Sequence, residues 1–185
     1  HGDLWVRGGG DPAIAGCNPF DLQQVERVFN LIIDRITALG IRKINGNICS
    51  LDDFFDTDPL HGTWEIGDMG QYYGVAVTPL SLLNGQVEIE FCRNRSGSLT
   101  ASWEPFWLTD IQIRFQDASG TDSSDWELRR DGDSNAVTIT GGSAAPDTET
   151  LTMAVCDPTR MFLETLRFYL KKQRIRRLYR LAERS

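Results

Sequence analysis

The sequence predicts an α+β fold, an α/β-like layer of strands and two helices with a nested antiparallel β subdomain. Three observations carry that prediction. A strand, a helix and a strand succeed one another within the first fifty residues. From Val87 onward the pattern changes to short runs that alternate apolar and polar residues. The chain then closes on a segment whose apolar residues recur with helical spacing.

The first strand spans Leu4 to Arg7, and the glycines that follow it, Gly8-Gly9-Gly10, permit a tight exit. Asp21 is placed to cap a helix, with Gln24 three residues on as in a capping box. Val25, Val28, Phe29, Ile32, Ile33, Ile36 and Leu39 give that helix one apolar face, and Gly40 stops it. A strand is expected from Ile41 to Cys49 and a turn at Asp52-Asp53-Phe54-Phe55. Further strands are read at 87–91, 111–115, 126–128 and 137–139. Their two-residue period with a polar second face points to antiparallel pairing. Between them, 117–124 and 130–135 are rich in Asp, Ser and Gly and read as turns or loops.

Asp157-Pro158 opens the last helix, whose face runs through Met161, Phe162, Leu166, Phe168, Tyr169 and Leu170 to Ile175, Leu178 and Leu181. This divides the chain into an α/β layer, residues 1–95 and 150–185, and a small β subdomain, residues 96–150. No internal repeat interrupts the division.

At 185 residues with 41% apolar content, the chain can bury a core, and it holds no apolar run long enough for a membrane span. Charge is uneven. From Thr159 on there are nine Lys or Arg against two acidic residues, and before it ten against twenty-four, so the body is near −14 and the tail near +7. The run Lys171-Lys172-Gln173-Arg174-Ile175-Arg176-Arg177 reads as the solvated face of a helix end, where cations are favoured, rather than as a nucleic-acid or membrane patch.

Cys17, Cys49, Cys92 and Cys156 include no Cys-x-x-Cys and lie away from both histidines, which argues against a metal site. Disulfides, with three pairings open to four cysteines, and half-buried thiols both remain compatible with the sequence.

Two other segments imitate ligand sites. Gly8-Gly9-Gly10 follows a strand, but a dinucleotide cradle needs Gly-x-Gly-x-x-Gly running straight into a helix, and here Pro12 intervenes. Asp131-Gly132-Asp133-Ser134-Asn135 starts like a calcium loop but has Ala136 in place of the central glycine and Gly142 in place of the distal glutamate. An Asp-rich turn accounts for it. No cofactor is implied anywhere.

Several segments, in order along nearly the whole chain, carry a family resemblance. They are Gly2-Asp3-Leu4-Trp5-Val6-Arg7-Gly8-Gly9-Gly10-Asp11-Pro12, then Leu39-Gly40-Ile41, Ile44-Asn45-Gly46-Asn47-Ile48 and Gly62-Thr63-Trp64-Glu65-Ile66-Gly67-Asp68-Met69-Gly70-Gln71-Tyr72-Tyr73-Gly74. Val137-Thr138-Ile139-Thr140-Gly141-Gly142 and Asp157-Pro158 follow. Together they resemble the insert region of D-alanyl-D-alanine carboxypeptidases of the penicillin-binding protein 4 type, the S13 peptidase family. The resemblance implies a periplasmic or secreted location and action on peptidoglycan stem peptides.

It also implies three catalytic motifs, Ser-x-x-Lys, Ser-x-Asn and Lys-Thr-Gly, and the sequence contains none of them. Ser81-Leu82-Leu83-Asn84 has one residue too many between Ser and Asn. A serine nucleophile needs a base beside its hydroxyl, which the lysine one helical turn away supplies. No catalytic residue is therefore assigned, and whether the chain is itself an enzyme is left open. In this family the missing motifs flank the insert. The expectation is a non-catalytic insert region that helps to shape the substrate cleft, partnered by the transpeptidase-like domain of its parent chain. The alternative is a free-standing module that binds peptidoglycan or a partner protein.

By the same resemblance, Asp68 reaches toward the cleft to meet the free amino end of the stem-peptide side chain, while Tyr73 packs on that side chain's carbons. The chemistry suits those residue types, because a carboxylate pairs with an ammonium by a charge-assisted hydrogen bond and an aromatic wall excludes water. Such a pair confers specificity and breaks no bond. Read without the resemblance, Asp68 is rather a loop aspartate bonding backbone amides, and Trp64, Tyr72 and Tyr73 pack over the sheet edge.

Overall fold

Eleven strands, two α-helices and two 3-10 helices are seen among the described residues of the computed structural model, which are 2–11, 13–15, 20–51, 53–55, 60, 62–117, 124–173, 175–177 and 181–182. The architecture is the α+β arrangement the pattern predicts. Pro12, Cys17, Asp52, Arg174, Leu178 and most of the 117–124 loop lie outside the described residues.

The chain forms two compact units, the first of residues 1–60, 76–85 and 157–185 and the second of residues 61–75 and 86–156. In the first, β1 (Leu4–Arg7) and β3 (Ile48–Leu51) pair in parallel, Leu4 opposite Ile48 and Arg7 opposite Leu51. Gly8 is needed where β1 ends, because a Cβ there would overlap the Pro79 carbonyl. The same carbonyl accepts a bond from the Gly10 N–H at 2.9 Å.

Helix α1 (Leu22–Ala38) starts as expected, with the Asp21 carboxylate accepting from the Gln24 N–H at 3.0 Å. Val25, Phe29, Ile33 and Ile36 are buried, whereas Leu39 is 78% exposed. The reason is positional: Leu39 is the C-cap, already turning away, and Gly40 follows at φ +78°.

Helix α2 (Pro158–Lys172) is capped by Asp157, which accepts from the Arg160 N–H at 2.8 Å, with proline in the first turn. The two helices meet through Phe29, whose ring lies 5.1 Å from Phe162 and 5.4 Å from Tyr169. Lys172 pairs with Glu26 at 2.7 Å on the rim.

Two expectations for this unit are corrected. The strand read from Ile41 to Cys49 is two strands in separate sheets, β2 (Lys43–Ile44) and β3. Between them the Asn47 N–H donates to the Asp3 carboxylate at 2.6 Å, and Gly46 lies against Gly2 and Asp3, which bends the chain.

The last helix does not continue to Leu181. It closes at Lys172, with the Ile175 N–H returning to the Leu170 carbonyl at 3.1 Å. Then β10 (Arg176–Arg177) pairs with β2, and β11 (Leu181–Ala182) pairs with the free side of β3, both in parallel. Completing those backbone ladders outweighs the helical pattern. The basic run is therefore divided between a helix end and a strand.

The second unit holds two three-stranded sheets. In one, β4 (Gln86–Arg93) lies between β5 (Leu99–Glu104) and β9 (Thr148–Ala154), antiparallel to both. In the other, β8 (Ala136–Gly141) lies between β6 (Gln112–Asp117) and β7 (Trp126–Arg130). Strand β7 is antiparallel to β8, but β6 is parallel to it, contrary to the uniformly antiparallel expectation. With β7 and β8 adjacent as a hairpin, β6 takes the remaining edge of β8 and runs the opposite way to β7.

Val87, Ile89 and Phe91 supply the buried face of β4, and Phe91 meets Phe115 at 5.7 Å and Trp126 edge-on at 4.9 Å. Of the cysteines, Cys49 is buried, Cys156 half-buried and Cys92 exposed, and no disulfide joins any two of these three. No helix among the described residues is long and apolar enough to cross a membrane.

Candidate functional site

Asp68 sits in the second unit, in the 3-10 helix Ile66–Gly70. Its carboxylate is held from two sides: Oδ2 accepts from the Glu65 N–H at 3.2 Å and Oδ1 accepts from the Tyr73 hydroxyl at 3.1 Å. The first bond closes the helix start on the N-terminal side. The second brings together the two residues that the sequence singles out. Each carboxylate oxygen offers two lone pairs, so both keep capacity for a further donor.

The backbone between Asp68 and Tyr73 is a chain of turns. The Gln71 N–H donates to the Asp68 carbonyl and the Gly74 N–H to the Gln71 carbonyl, both at 2.9 Å. Gly74 permits this closure because a Cβ there would overlap the Asp68 carbonyl oxygen. Tyr72 and Tyr73 are 59% and 55% exposed, their rings edge to face at 5.2 Å. Gln86 donates to the Tyr72 carbonyl at 2.6 Å.

The bond to Asp68 raises the Tyr73 phenol above its ordinary pKa, with burial and the charges of Asp68 and Tyr72 acting the same way. The cause is direct: a phenolate beside the carboxylate would forfeit the hydrogen bond and add like charge. Trp64, on the same segment, is half-buried.

Arg130, the last residue of β7, anchors this segment. Its Nε and Nη2 both donate to the Met69 carbonyl, at 3.1 and 2.6 Å, while Gly70 lies against its Cβ and backbone. Gln71 adds a bond from Nε2 to the Leu128 carbonyl at 3.3 Å and a bridge to Met153 of β9. Nothing in the local sequence marks Arg130 as a partner of Asp68's neighbour, since sixty-one positions separate Arg130 from Met69.

The other arm of Arg130 answers the question of the Asp131–Asn135 segment. Its Nη1 donates to the Gly132 and Ser134 carbonyls at 2.8 and 3.1 Å, and Arg114 pairs with Asp131 at 3.1 Å. Backbone oxygens that a cation would use are thus turned onto a guanidinium. Asn135, buried, bonds Asp110 at 3.0 Å and accepts from the Cys156 N–H at 2.8 Å, a structural role the sequence does not signal. Ser81, Leu82 and Leu83 are buried in the first unit.

The arrangement at Asp68 can accept a cationic donor beside an exposed aromatic pair.

A family model described as the D-Ala-D-Ala carboxypeptidase 3 (S13) family matches residues 1–178. Among solved structures, penicillin binding protein 4 (dacB) from Haemophilus influenzae superposes with a TM-score of 0.73 at 18% identity, over 98% of this chain and 39% of that one. The same protein complexed with a novel beta-lactam (CMV) gives 0.65 at 17% identity, over 98% and 37%. The chain therefore spans about two fifths of the length of the solved structures it matches. No curated protein matches it.

Proposed function

This chain belongs to the D-Ala-D-Ala carboxypeptidase 3 (S13) family, and we propose that it is the non-catalytic insert region of a serine-type carboxypeptidase or endopeptidase acting on peptidoglycan stem peptides. The observation that carries this reading is coverage: nearly the whole chain superposes on about two fifths of a penicillin-binding protein. The absence of Ser-x-x-Lys, Ser-x-Asn and Lys-Thr-Gly from these 185 residues supports it, since acyl transfer would then be performed by a partner domain of the parent chain. In this reading the two compact units are the two parts of the insert, and the protein works in the periplasm or outside the cell.

Within the insert, Asp68 receives the free ammonium of the stem-peptide side chain and Tyr73 flanks its carbons. The supporting geometry is a carboxylate oriented by Glu65 and Tyr73 with lone pairs to spare. The test is Asp68→Ala in the protein that joins this region to its serine-bearing domain. Loss of a charge-assisted bond predicts a fall of about 10- to 100-fold in kcat/KM for diaminopimelate-bearing peptides. Acylation by a simple penicillin should stay within about twofold, because that ligand lacks the ammonium. Equal losses for both would sink the assignment. Intact mass after incubation with a fluorescent penicillin tests the wider reading: an adduct should appear on the longer protein and not on this chain. An adduct on this chain would overturn it.

A further inference from the structure

We propose that Arg130 is a positioning residue, holding the Asp68 carboxylate at the angle from which it meets a cationic ligand. The proposal rests on the reading of Asp68 as the ligand-binding carboxylate. A five-residue 3-10 helix has too few internal bonds to keep its own orientation, so tertiary contacts must set it. Arg130 provides the most directional of those contacts. Two of its N–H groups converge on the carbonyl of Met69, the residue after Asp68, and fix the peptide plane from which the Asp68 side chain departs.

The third group of bonds, to Gly132 and Ser134, ties the guanidinium to the hairpin at the end of β7. The guanidinium is half-buried, and only a planar fork with five donors can serve both loops at once. Burial lowers its pKa, while the charges of Cys156 and Asp133 act in the opposite direction.

Tyr73 reports on Asp68 without any ligand, which makes the proposal testable on this chain. The phenol is followed through its ring carbon resonances against pH, with Tyr73→Phe giving the assignment. Arg130→Met keeps the aliphatic stem and removes every side-chain donor, and Arg130→Lys keeps the charge but gathers its donors on one nitrogen. The expected result is that Arg130→Met returns the Tyr73 pKa toward its ordinary value, as Asp68→Asn does, with Arg130→Lys between them and the wild type. The affinity of a diaminopimelate-containing stem peptide, read from the same resonances, should fall by about 10-fold in Arg130→Met.

An unchanged Tyr73 titration in Arg130→Lys and Arg130→Met overturns the proposal. If Arg130→Met does not fold, the Arg130→Lys titration decides. A Tyr73 titration that moves as expected, with peptide affinity insensitive to Asp68→Asn, overturns the Asp68 reading instead. Arg130 would then orient a turn that has no ligand role.

Discussion

Raising the pH should loosen the first unit through one phenol, Tyr169. The side chain is 2% exposed, stacked 5.4 Å from Phe29, and its pKa is pushed up from 10.0 to about 12 by burial, with Glu26 adding to the rise. In the unfolded chain the same group titrates near 10, so between the two values the unfolded state releases a proton that the folded state keeps. Stability contributed by the neutral phenol is complete below pH 10 and is lost as pH rises toward 12.

At pH 11 the unfolded form is about nine tenths ionised and the folded form about one tenth, a difference of roughly 1.4 kcal/mol. The nearby Glu26 and Lys172 side chains are 44% and 48% exposed, so solvent screening reduces the expected loss to about 1 kcal/mol. Both helices belong to the first unit, so urea unfolding followed by helical circular dichroism isolates it. The wild type should lose about 1 kcal/mol more than Tyr169→Phe between pH 8 and pH 11. Parallel losses in the two proteins would refute the reasoning, because the pH dependence would then come from other groups.

Two further perturbations test the packing that supports the fold. Phe29→Ala should destabilise the first unit by about 4 kcal/mol in the same urea assay, since the ring is fully buried against Phe162 and Tyr169, and a cost under about 1 kcal/mol would mean the helix pair is not packed as described. Gly8→Ala should cost more than about 2 kcal/mol because its methyl would meet the Pro79 carbonyl, whereas Gly9→Ala, which faces open space, should stay within about 0.5 kcal/mol; equal effects would remove the steric reason for the first glycine.

Where a signal is local, the sequence carries it far. Asp21 and Asp157 each cap a helix at the expected residue, and β1 has the bounds that its apolar pattern suggests. Strand β5 is the local exception. Its Leu99, Ala101 and Trp103 do alternate with more exposed residues, but Thr, Ala and Ser give that alternation little apolar contrast, and the sequence reading passes over it.

The losses come where backbone partners decide. Ile175 and Leu181 continue the period of α2, yet β2 and β3 have open edges, and pairing with them makes strands of Arg176–Arg177 and Leu181–Ala182 that no local pattern announces. The direction of β6 is of the same kind, since its parallel pairing with β8 has no mark in its own sequence.

The candidate site divides along the same line. Asp68 and Tyr73 stand five residues apart, and turn chemistry suffices to bring their side chains into contact. What holds the backbone beside that pair is Arg130, on a strand sixty-one positions away in the sequence. The family resemblance can therefore nominate the carboxylate, while its aim is a property of the sheet. If that division is right, substitutions inside the 64–74 segment should alter the chemistry offered to a ligand. Substitution of Arg130 should alter only how well the same chemistry is presented, which is why the Tyr73 titration and the ligand affinity must be read together.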